Sequence, residues 1–250
     1  MKHIANTLLG TAFLALASSA SAGGEVRLKP HEAKGWMNAI GRVGGYYSMI
    51  SSEYPQVPAP SPTPTVETGK ASRSAIGFDL DLMGFWDATR FDTLLGAEMK
   101  LQLALIKGEE IRRDGTLAGD TNKLFFRWDA AFDYGLFHFG AAKGVRGRLG
   151  GGAGFGADYD SGRFGTTGGR VYPLLLARAH LFLTEDFGGH LAYHYVPTTT
   201  NDAKIREHRF ELAGSISSLQ AGVRYVLTRT YVVDTPYETK EGSVFVAYAF

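Results

Sequence analysis

The chain of 250 residues contains no cysteine, so disulfide bonds do not stabilise it. After residue 22 no run of about eighteen consecutive apolar residues occurs, and we therefore expect no membrane-spanning helix there. The formal net charge is only +1, which argues against the strongly basic surface of a nucleic-acid-binding protein. Glycine (32 residues) and aromatic side chains (12%) are abundant instead, which favours strands joined by tight turns.

The first 22 residues have the pattern of a secretory signal peptide. A short polar start precedes an apolar run, and Ala20-Ser21-Ala22 is a small-x-small cleavage signal. The apolar run is too short for a comfortable membrane span, which disfavours the alternative of a retained anchor helix. We expect residues 1–22 to be removed on export, residues 23–34 to form an N-terminal segment, and residues 35–250 to form a single domain.

Polar and apolar side chains alternate with a period of two in ten segments. The clearest case places Leu101 and Leu103 on one face, with Glu98, Lys100 and Gln102 on the other. The ten candidate strands are 37–49, 76–82, 93–105, 124–134, 137–141, 171–183, 190–195, 207–212, 219–228 and 244–250. Eight or twelve strands remain alternatives, because single strands of this kind give a faint pattern.

The connections between these strands alternate in length. The short ones are predicted at Asp87–Arg90, Tyr134-Gly135, Glu185–Gly188 and Ser217-Ser218, and the long ones at 51–72, 108–121, 148–168, 197–204 and 233–241. The proline-rich stretch Tyr54–Thr65 and the glycine-rich stretch 144–169 are expected to be exposed loops. Residues 152–157 match a dinucleotide-binding fingerprint only by letters, without the strand and helix that would give the match meaning.

The last strand places Val244, Val246, Tyr248 and Phe250 on one face, and its final residue is aromatic. An exported chain that ends in such a strand resembles the bacterial outer-membrane β-barrel proteins. The resemblance implies an all-β fold, a transmembrane antiparallel up-and-down barrel with short periplasmic turns and long external loops. It also implies residence in the outer membrane of a Gram-negative-type bacterium, with residues 23–34 in the periplasm.

The same resemblance implies the partners of the chain. They are outer-membrane lipid, including lipopolysaccharide, and the barrel-assembly machinery, which would read the strand that ends in Phe250. The barrel is expected to be a monomer without a cofactor. The alternative architecture is a soluble, lipocalin-like barrel with its apolar face inside, but aromatic residues near the strand ends favour lipid outside.

In the membrane barrel the charged faces of the strands point inward. The expected lumen network comprises Asp79, Asp81, Glu98, Lys100, Arg127, Asp129, Asp133, His138, Arg178, His180, Glu207, Arg209, Glu211 and Arg224, with His190 and His194 on the same faces. Because both signs are present, we expect these groups to pair and the protein to have a structural or surface-exposed role. The alternative is a narrow, weakly selective pore beside small inward residues such as Ala104, Ala131, Gly140, Ala192 and Gly222.

An embedded hydrolase is the second functional hypothesis. Asp79 and Asp81 share a face, and His194 is expected near the outer end of its strand. This set is similar to the acidic pair and Asp–His dyad of the omptin proteases, which are ten-stranded barrels, and a lipid-modifying enzyme is a related alternative. No omptin-specific motif is present, and no His-x-Ser pair occurs at His138 or His190.

A metal site at His180, His190 and His194 is disfavoured. His190 and His194 share a face of one strand but lie about 13 Å apart along it, so one ion cannot bind both. His180 and His190 alone, without a nearby carboxylate, make a weak site. We therefore predict no metal site.

Overall fold

The computed structural model describes residues 37–53, 68–88, 93–112, 117–140, 145–161, 167–184, 187–199, 204–232 and 235–249. Its ten strands are β1 Met37–Glu53, β2 Thr68–Ala88, β3 Thr93–Arg112, β4 Leu117–Gly140, β5 Arg146–Ser161, β6 Thr167–Phe182, β7 Phe187–Thr199, β8 Lys204–Ile216, β9 Leu219–Val232 and β10 Thr235–Ala249. The predicted signal peptide, the segment 23–34, the proline-rich stretch and Phe250 lie outside the described residues. No helix within the described residues is long and apolar enough to cross a membrane.

The ten strands form one closed antiparallel barrel. Each strand pairs with its neighbours in sequence, and β1 pairs with β10 to close the ring. Closure removes the free edges of the sheet over most of the wall, and the shortest ladder joins β6 and β7 only over residues 175–182 and 188–195. The number of strands is even, so β1 begins and β10 ends at the same end of the barrel. The prediction of an all-β antiparallel barrel of ten strands is confirmed.

The outer wall of the barrel is apolar and the interior is ionic. Among the described residues, thirty large apolar or tyrosine side chains are exposed, including Ile76 at 71% and Val171 at 76%. On the inner face Asp79 and Glu207 are 0% exposed. A soluble barrel would show the reverse, because water-exposed apolar patches rarely exceed a few hundred Å². The wall therefore has the polarity of a transmembrane barrel.

The fifth strand differs from the prediction. Tyr134 and Gly135 form no turn, since both lie within β4, and residues 137–140 continue that strand. A register irregularity between Gly135 and Phe137, where β4 pairs with β5, accounts for the break in alternation. The true fifth strand, β5, occupies residues 146–161, most of which we expected to form a glycine-rich loop.

Glycine hides the alternation of β5 because the four inward-facing positions in the middle of the strand carry no side chain. A Cβ atom at Gly152 would lie 1.9 Å from the carbonyl oxygen of Phe132, and one at Gly154 would lie 2.1 Å from that of Ala130. The outward positions of the strand do carry apolar groups, such as Phe155 and Tyr159. The close approach of β5 to β4 thus requires glycine on the inner face. A segment so rich in glycine has the composition of a loop, which is why the strand was not predicted.

Replacement of Gly154 by alanine is expected to lower the free energy of unfolding by about 1–3 kcal/mol, because the added methyl group meets backbone that must move. Urea-induced unfolding of the refolded barrel in lipid vesicles measures the change. Gly242→Ala is the matched control, since a Cβ there has no atom within 4 Å. Equal stabilities for the two variants would contradict the close contact between β4 and β5.

The strands at the end opposite the termini are longer than expected. Most residues of the predicted loops 108–121, 148–168, 197–204 and 233–241 belong to strands, and the segment between β1 and β2 is shortened to 54–67. The predicted turn at Ser217-Ser218 is confirmed, with Ser217 at a φ of 54° in the left-handed region that tight hairpins use. The sequence does not reveal these extensions because polar residues there alternate with other polar residues. The alternation of polar and apolar residues, from which strands are predicted, is therefore missing.

Candidate functional site in the barrel lumen

Strand register brings inward charges of opposite sign next to each other. Arg42 of β1 lies opposite Asp81 of β2, which lies opposite Lys100 of β3, which lies opposite Asp129 of β4. Each member of this row is buried. Opposite charges that face each other on neighbouring strands stabilise strand pairing. The charge pattern of the first four strands therefore favours the register that the structure shows.

Glu211 on β8 is the centre of the first group of ion pairs. Its carboxylate accepts hydrogen bonds from Arg42 at 2.9 Å, Lys100 at 2.5 Å and Arg224 at 2.6 Å. Nε2 of His190 lies 2.9 Å from the same carboxylate. In a ring of ten strands β3 and β8 are on opposite walls, so the pair of Lys100 and Glu211 crosses the whole lumen.

Two further carboxylates, on β2, complete this group. Asp81 accepts a hydrogen bond from Arg42 at 2.6 Å, and Asp79 forms an ion pair with Arg224. The guanidinium of Arg224 also lies over the ring of Phe245, 4.1 Å from its centroid. Two of the three cations of the group, Arg42 and Arg224, are thus held between two carboxylates and lie over the ring of Phe245.

Glu207 on β8 is the centre of a second group. It accepts hydrogen bonds from Arg127 at 3.0 Å and from Arg170 at 2.8 Å, and it also pairs with Arg209. Arg170 additionally donates to both oxygens of Asp158, at 2.7 to 3.0 Å. Three strands that are distant in sequence thus meet at one carboxylate.

Tyr172 and Asp129 extend this group across the barrel. The hydroxyl of Tyr172 donates to Asp129 at 2.8 Å, and Arg209 donates to the same carboxylate at 2.7 Å. Arg209 also donates to the Tyr172 hydroxyl, at 3.1 Å. The three side chains form a closed triangle of hydrogen bonds, which fixes the orientation of each.

A third group lies nearer the end where the chain begins and ends. Arg178 on β6 pairs with Glu98 on β3 and approaches the sulfur of Met83 at 3.2 Å. Arg148 donates to Asp133 at 2.6 Å. The pair of Arg178 and Glu98 spans the lumen between β6 and β3, whereas Arg148 and Asp133 join the neighbouring strands β5 and β4.

The three groups together are electrically neutral. Within the described residues the cations of these pairs are Arg42, Lys100, Arg127, Arg148, Arg170, Arg178, Arg209 and Arg224, and the anions are Asp79, Asp81, Glu98, Asp129, Asp133, Asp158, Glu207 and Glu211. Each sign thus occurs eight times, so no uncompensated charge is left in the network. A cavity of about 40 Å³ lies among them, lined in part by Lys100, Arg127, Asp129, His194 and Glu211. A space of this size holds only about three water molecules.

Two clusters of buried apolar side chains also lie in the described interior. One cluster contains Tyr46, Ile50, Ile106, Phe125 and Phe245, and a second contains Tyr172, Leu174, Leu176 and Val196. These residues exclude water from the ion pairs, which strengthens the interactions and raises the cost of removing one partner.

Most of the candidate lumen residues lie in these groups or beside them. Asp79, Asp81, Glu98, Lys100, Arg127, Asp129, Asp133, Arg178, His180, His190, His194, Glu207, Arg209, Glu211 and Arg224 are all buried within the barrel. His138 lies on β4 opposite Arg148, and its side chain is not among those that the structure describes. The sequence-based list missed Arg42, Arg148, Asp158, Arg170 and Tyr172.

Arg148 and Asp158 were missed because they belong to β5, which was read as a loop, and Arg170 lies opposite Asp158 on β6, one residue before the predicted start of that strand. Arg42 and Tyr172 lie on the inward faces of predicted strands and were left out of the list. The outward series of Leu149, Phe155 and Tyr159 was the available signal for β5.

The three candidate catalytic residues have different partners. Asp79 pairs with Arg224, Asp81 pairs with Arg42, and His194 Nε2 lies 3.6 Å from Glu98 Oε2. His194 lies in the middle of β7, so its expected place near the outer end of the strand is wrong. A dyad needs its two groups within hydrogen-bond reach, and these contacts instead tie the carboxylates to arginines.

The histidines do not form a larger ligand set. The rings of His180 and His190 are 5.6 Å apart between centroids. In the part of the chain that the structure describes, no group of three or more histidine, cysteine or carboxylate residues is placed to hold a metal ion.

Comparison with known proteins gives remote similarities. No protein-family model and no curated protein matches the chain. One similar solved structure is the COG4313 outer membrane channel from Pseudomonas putida F1, with 13% identity, coverage of 91% of this chain and 98% of that chain, and a TM-score of 0.38. Another is Ail, the attachment invasion locus protein of Yersinia pestis, with 10% identity, coverage of 87% and 100%, and a TM-score of 0.26.

At these TM-scores neither similarity says what the chain does. The class of the fold follows from the strands themselves. They are even in number and antiparallel, they close on themselves, and they enclose their charges behind an apolar outer wall. This is the construction of a closed antiparallel barrel with the polarity of a transmembrane β-barrel.

Proposed function

We propose that the protein is an outer-membrane barrel with a closed lumen and a structural or surface-exposed role. The observation that supports this is the neutral network of ion pairs between opposite walls, with a cavity of only about 40 Å³ among them. A permeable channel needs a continuous water-filled path, which this filled interior does not offer.

Three of the five small inward residues, Ala104, Ala131 and Gly222, do not favour such a path. Ala104 and Ala131 are buried in the two apolar clusters. The space beside Gly222 is filled by Phe245, whose ring lies 2.7 Å from the place where a Cβ would stand. A narrow, weakly selective pore therefore has less support than a closed interior, and the contacts of Asp79, Asp81 and His194 do not favour a hydrolase.

We further propose the route by which the protein reaches its membrane. Residues 1–22 direct export and are removed, and the barrel-assembly machinery of a Gram-negative-type bacterium reads the strand that ends in Phe250. The folded barrel is a monomer surrounded by outer-membrane lipid, including lipopolysaccharide. Recovery of the processed chain as a stable, water-soluble protein without detergent would contradict this placement.

Planar-bilayer recording tests the closed lumen. We expect the purified wild-type barrel to insert without producing discrete conductance steps, while an open porin added to the same bilayer shows that steps are detectable. Steps in the wild type whose size changes in Arg127→Ala or Arg178→Ala would place an ion path through the lumen. That result would replace the structural role with a pore.

A further inference from the structure

Four cations stand on the outer surface at the end of the barrel opposite the termini. We call Lys204 and Arg206 of β8, Arg229 of β9 and Lys240 of β10 the rim patch, and all four are exposed. Their neighbours along each strand, such as Ile205, Thr228 and Thr239, are buried, so the four side chains point away from the lumen. The rim patch therefore faces whatever surrounds the barrel.

The cations of the rim patch outnumber their partners. Arg229 donates to Glu238 at 2.8 Å, and Lys240 lies 3.7 Å from the same carboxylate. Among the described residues no carboxylate lies within ion-pair distance of Lys204 or Arg206. Within the described residues, one carboxylate thus serves two of the four cations, and the patch with Glu238 has a net charge of about +3.

The two arginines of the rim patch are placed directly opposite each other. Arg206 and Arg229 are register partners in the β8–β9 ladder, and such partners have Cα atoms about 4.5–5.5 Å apart. Like charges in this arrangement destabilise a sheet. Arg206 lies over the ring of Tyr231, 5.7 Å from its centroid, which orients the guanidinium but does not neutralise it. Glu238 accepts a hydrogen bond from Arg229, whereas no described carboxylate pairs with Arg206.

The rim patch lies at the boundary of the apolar wall. The outward series on β9 runs from Leu219 to Leu227, and Arg229 is the next outward residue. That series matches the span of about 9–11 residues that a tilted strand needs to cross the hydrocarbon core. On β7, Tyr193 and Tyr195 have partly exposed rings that contact His208 on the neighbouring β8, as expected for an interfacial aromatic belt. The cations therefore lie at the level of lipid headgroups.

We propose that the rim patch binds the phosphate groups of a phosphorylated outer-leaflet glycolipid of the lipopolysaccharide type. A phosphate between Arg206 and Arg229 accepts paired hydrogen bonds from both guanidinium groups and removes the repulsion between them. Lys204 and Lys240 flank the pair and supply further positive charge. The proposal rests on the outer-membrane placement given above, but it does not depend on whether the lumen is closed.

Native mass spectrometry of the detergent-solubilised barrel tests the proposal, with bis-phosphorylated lipid A as the probe and fully dephosphorylated lipid A as the comparison. We expect the wild type to retain the phosphorylated probe and to release the dephosphorylated one. Arg206→Gln and Arg229→Gln should each weaken binding of the phosphorylated probe about tenfold. Lys107→Gln, which removes an exposed cation on β3 outside the rim patch, is the matched control and should leave binding unchanged.

Stability provides a second readout that a loss of folding cannot imitate. In detergent without lipid A, Arg206→Gln should raise the unfolding temperature, because it removes the opposition of like charges. With phosphorylated lipid A, the wild type should gain stability and the variant should not. We therefore expect the variant to have the higher unfolding temperature without lipid A and the smaller gain in unfolding temperature with it.

Three results would overturn the proposal. They are unchanged binding in both arginine variants, an equal loss in Lys107→Gln, and full displacement of lipid A by millimolar inorganic phosphate, which would indicate a site for free phosphate. If the protein is extracted only with detergent but fails these tests, the proposed lipid site is wrong while the outer-membrane placement stands. If the wild-type barrel conducts ions, the closed lumen is wrong while the proposed lipid site stands.

Discussion

Replacement of Glu211 by glutamine is expected to lower the free energy of unfolding by about 3–5 kcal/mol, because it leaves buried cations without their shared partner. Arg42, Lys100 and Arg224 all donate to this carboxylate, and His190 contacts it as well. Glutamine keeps the shape of the side chain, so the loss reports the charge rather than a cavity. Urea-induced unfolding of the refolded barrel in lipid vesicles, followed by tryptophan fluorescence, measures it.

Two further variants make this prediction specific. Glu238→Gln removes an exposed carboxylate whose partner Arg229 has a side chain 47% exposed, and it should change stability by no more than about 1 kcal/mol. Adding Lys100→Met to Glu211→Gln should recover part of the loss, because one of the unpaired cations is then gone. Equal losses for Glu211→Gln and Glu238→Gln would show that the interior charges are not paired as described.

Arginine in place of Leu101 is expected to destabilise the barrel by about 2–4 kcal/mol, the cost of a cation at the lipid-facing midplane. Leu101 on β3 lies between Leu80 and Trp128 on the neighbouring strands, with its side chain on the outer face. Unfolding in vesicles of defined thickness measures the change. A loss that does not depend on bilayer thickness would count against contact with hydrocarbon.

The control for Leu101→Arg has to be chosen from the structure. From the sequence alone Gln102→Arg would serve, as a mild substitution on the polar face. Gln102 is buried, however, and accepts a hydrogen bond from Arg127 at 3.4 Å, so an arginine there would place two cations together in a filled interior. Ser72→Arg on the exposed outer face of β2, near the end of the strand, is the better control and should cost about 0–1 kcal/mol.

The sequence predicts the wall of this barrel better than its interior. Alternation in segments such as 93–105 and 219–228 identifies both the strands and their faces. One face is apolar and the other is charged, so it is clear which residues point outward and which point into the lumen. The pairing partners of each charge depend on register and on which strands oppose each other across the ring. Alternation alone does not predict that Lys100 on β3 reaches Glu211 on β8, because sequence separation gives no distance across a lumen.

The glycine-rich segment illustrates a second limit of pattern reading. The middle of the inner face of β5 carries glycine where other strands carry charge, and its ladder with β4 contains an irregularity near Gly135. Both features remove the alternation of polar and apolar residues, although the segment is a strand. Asp158 was missed for this reason, and Arg170, which pairs with it at 2.7 Å, lies one residue before the predicted start of the next strand.

The sixteen paired charges are distributed unevenly along the chain. Those on the first five strands comprise four cations and six anions, and those on the last five comprise four cations and two anions. With the buried Arg73 and Glu241 included, the first five strands still carry one more anion than cations and the last five one more cation than anions. Closing the ring between β1 and β10 therefore joins two halves whose buried charges are opposite in net sign.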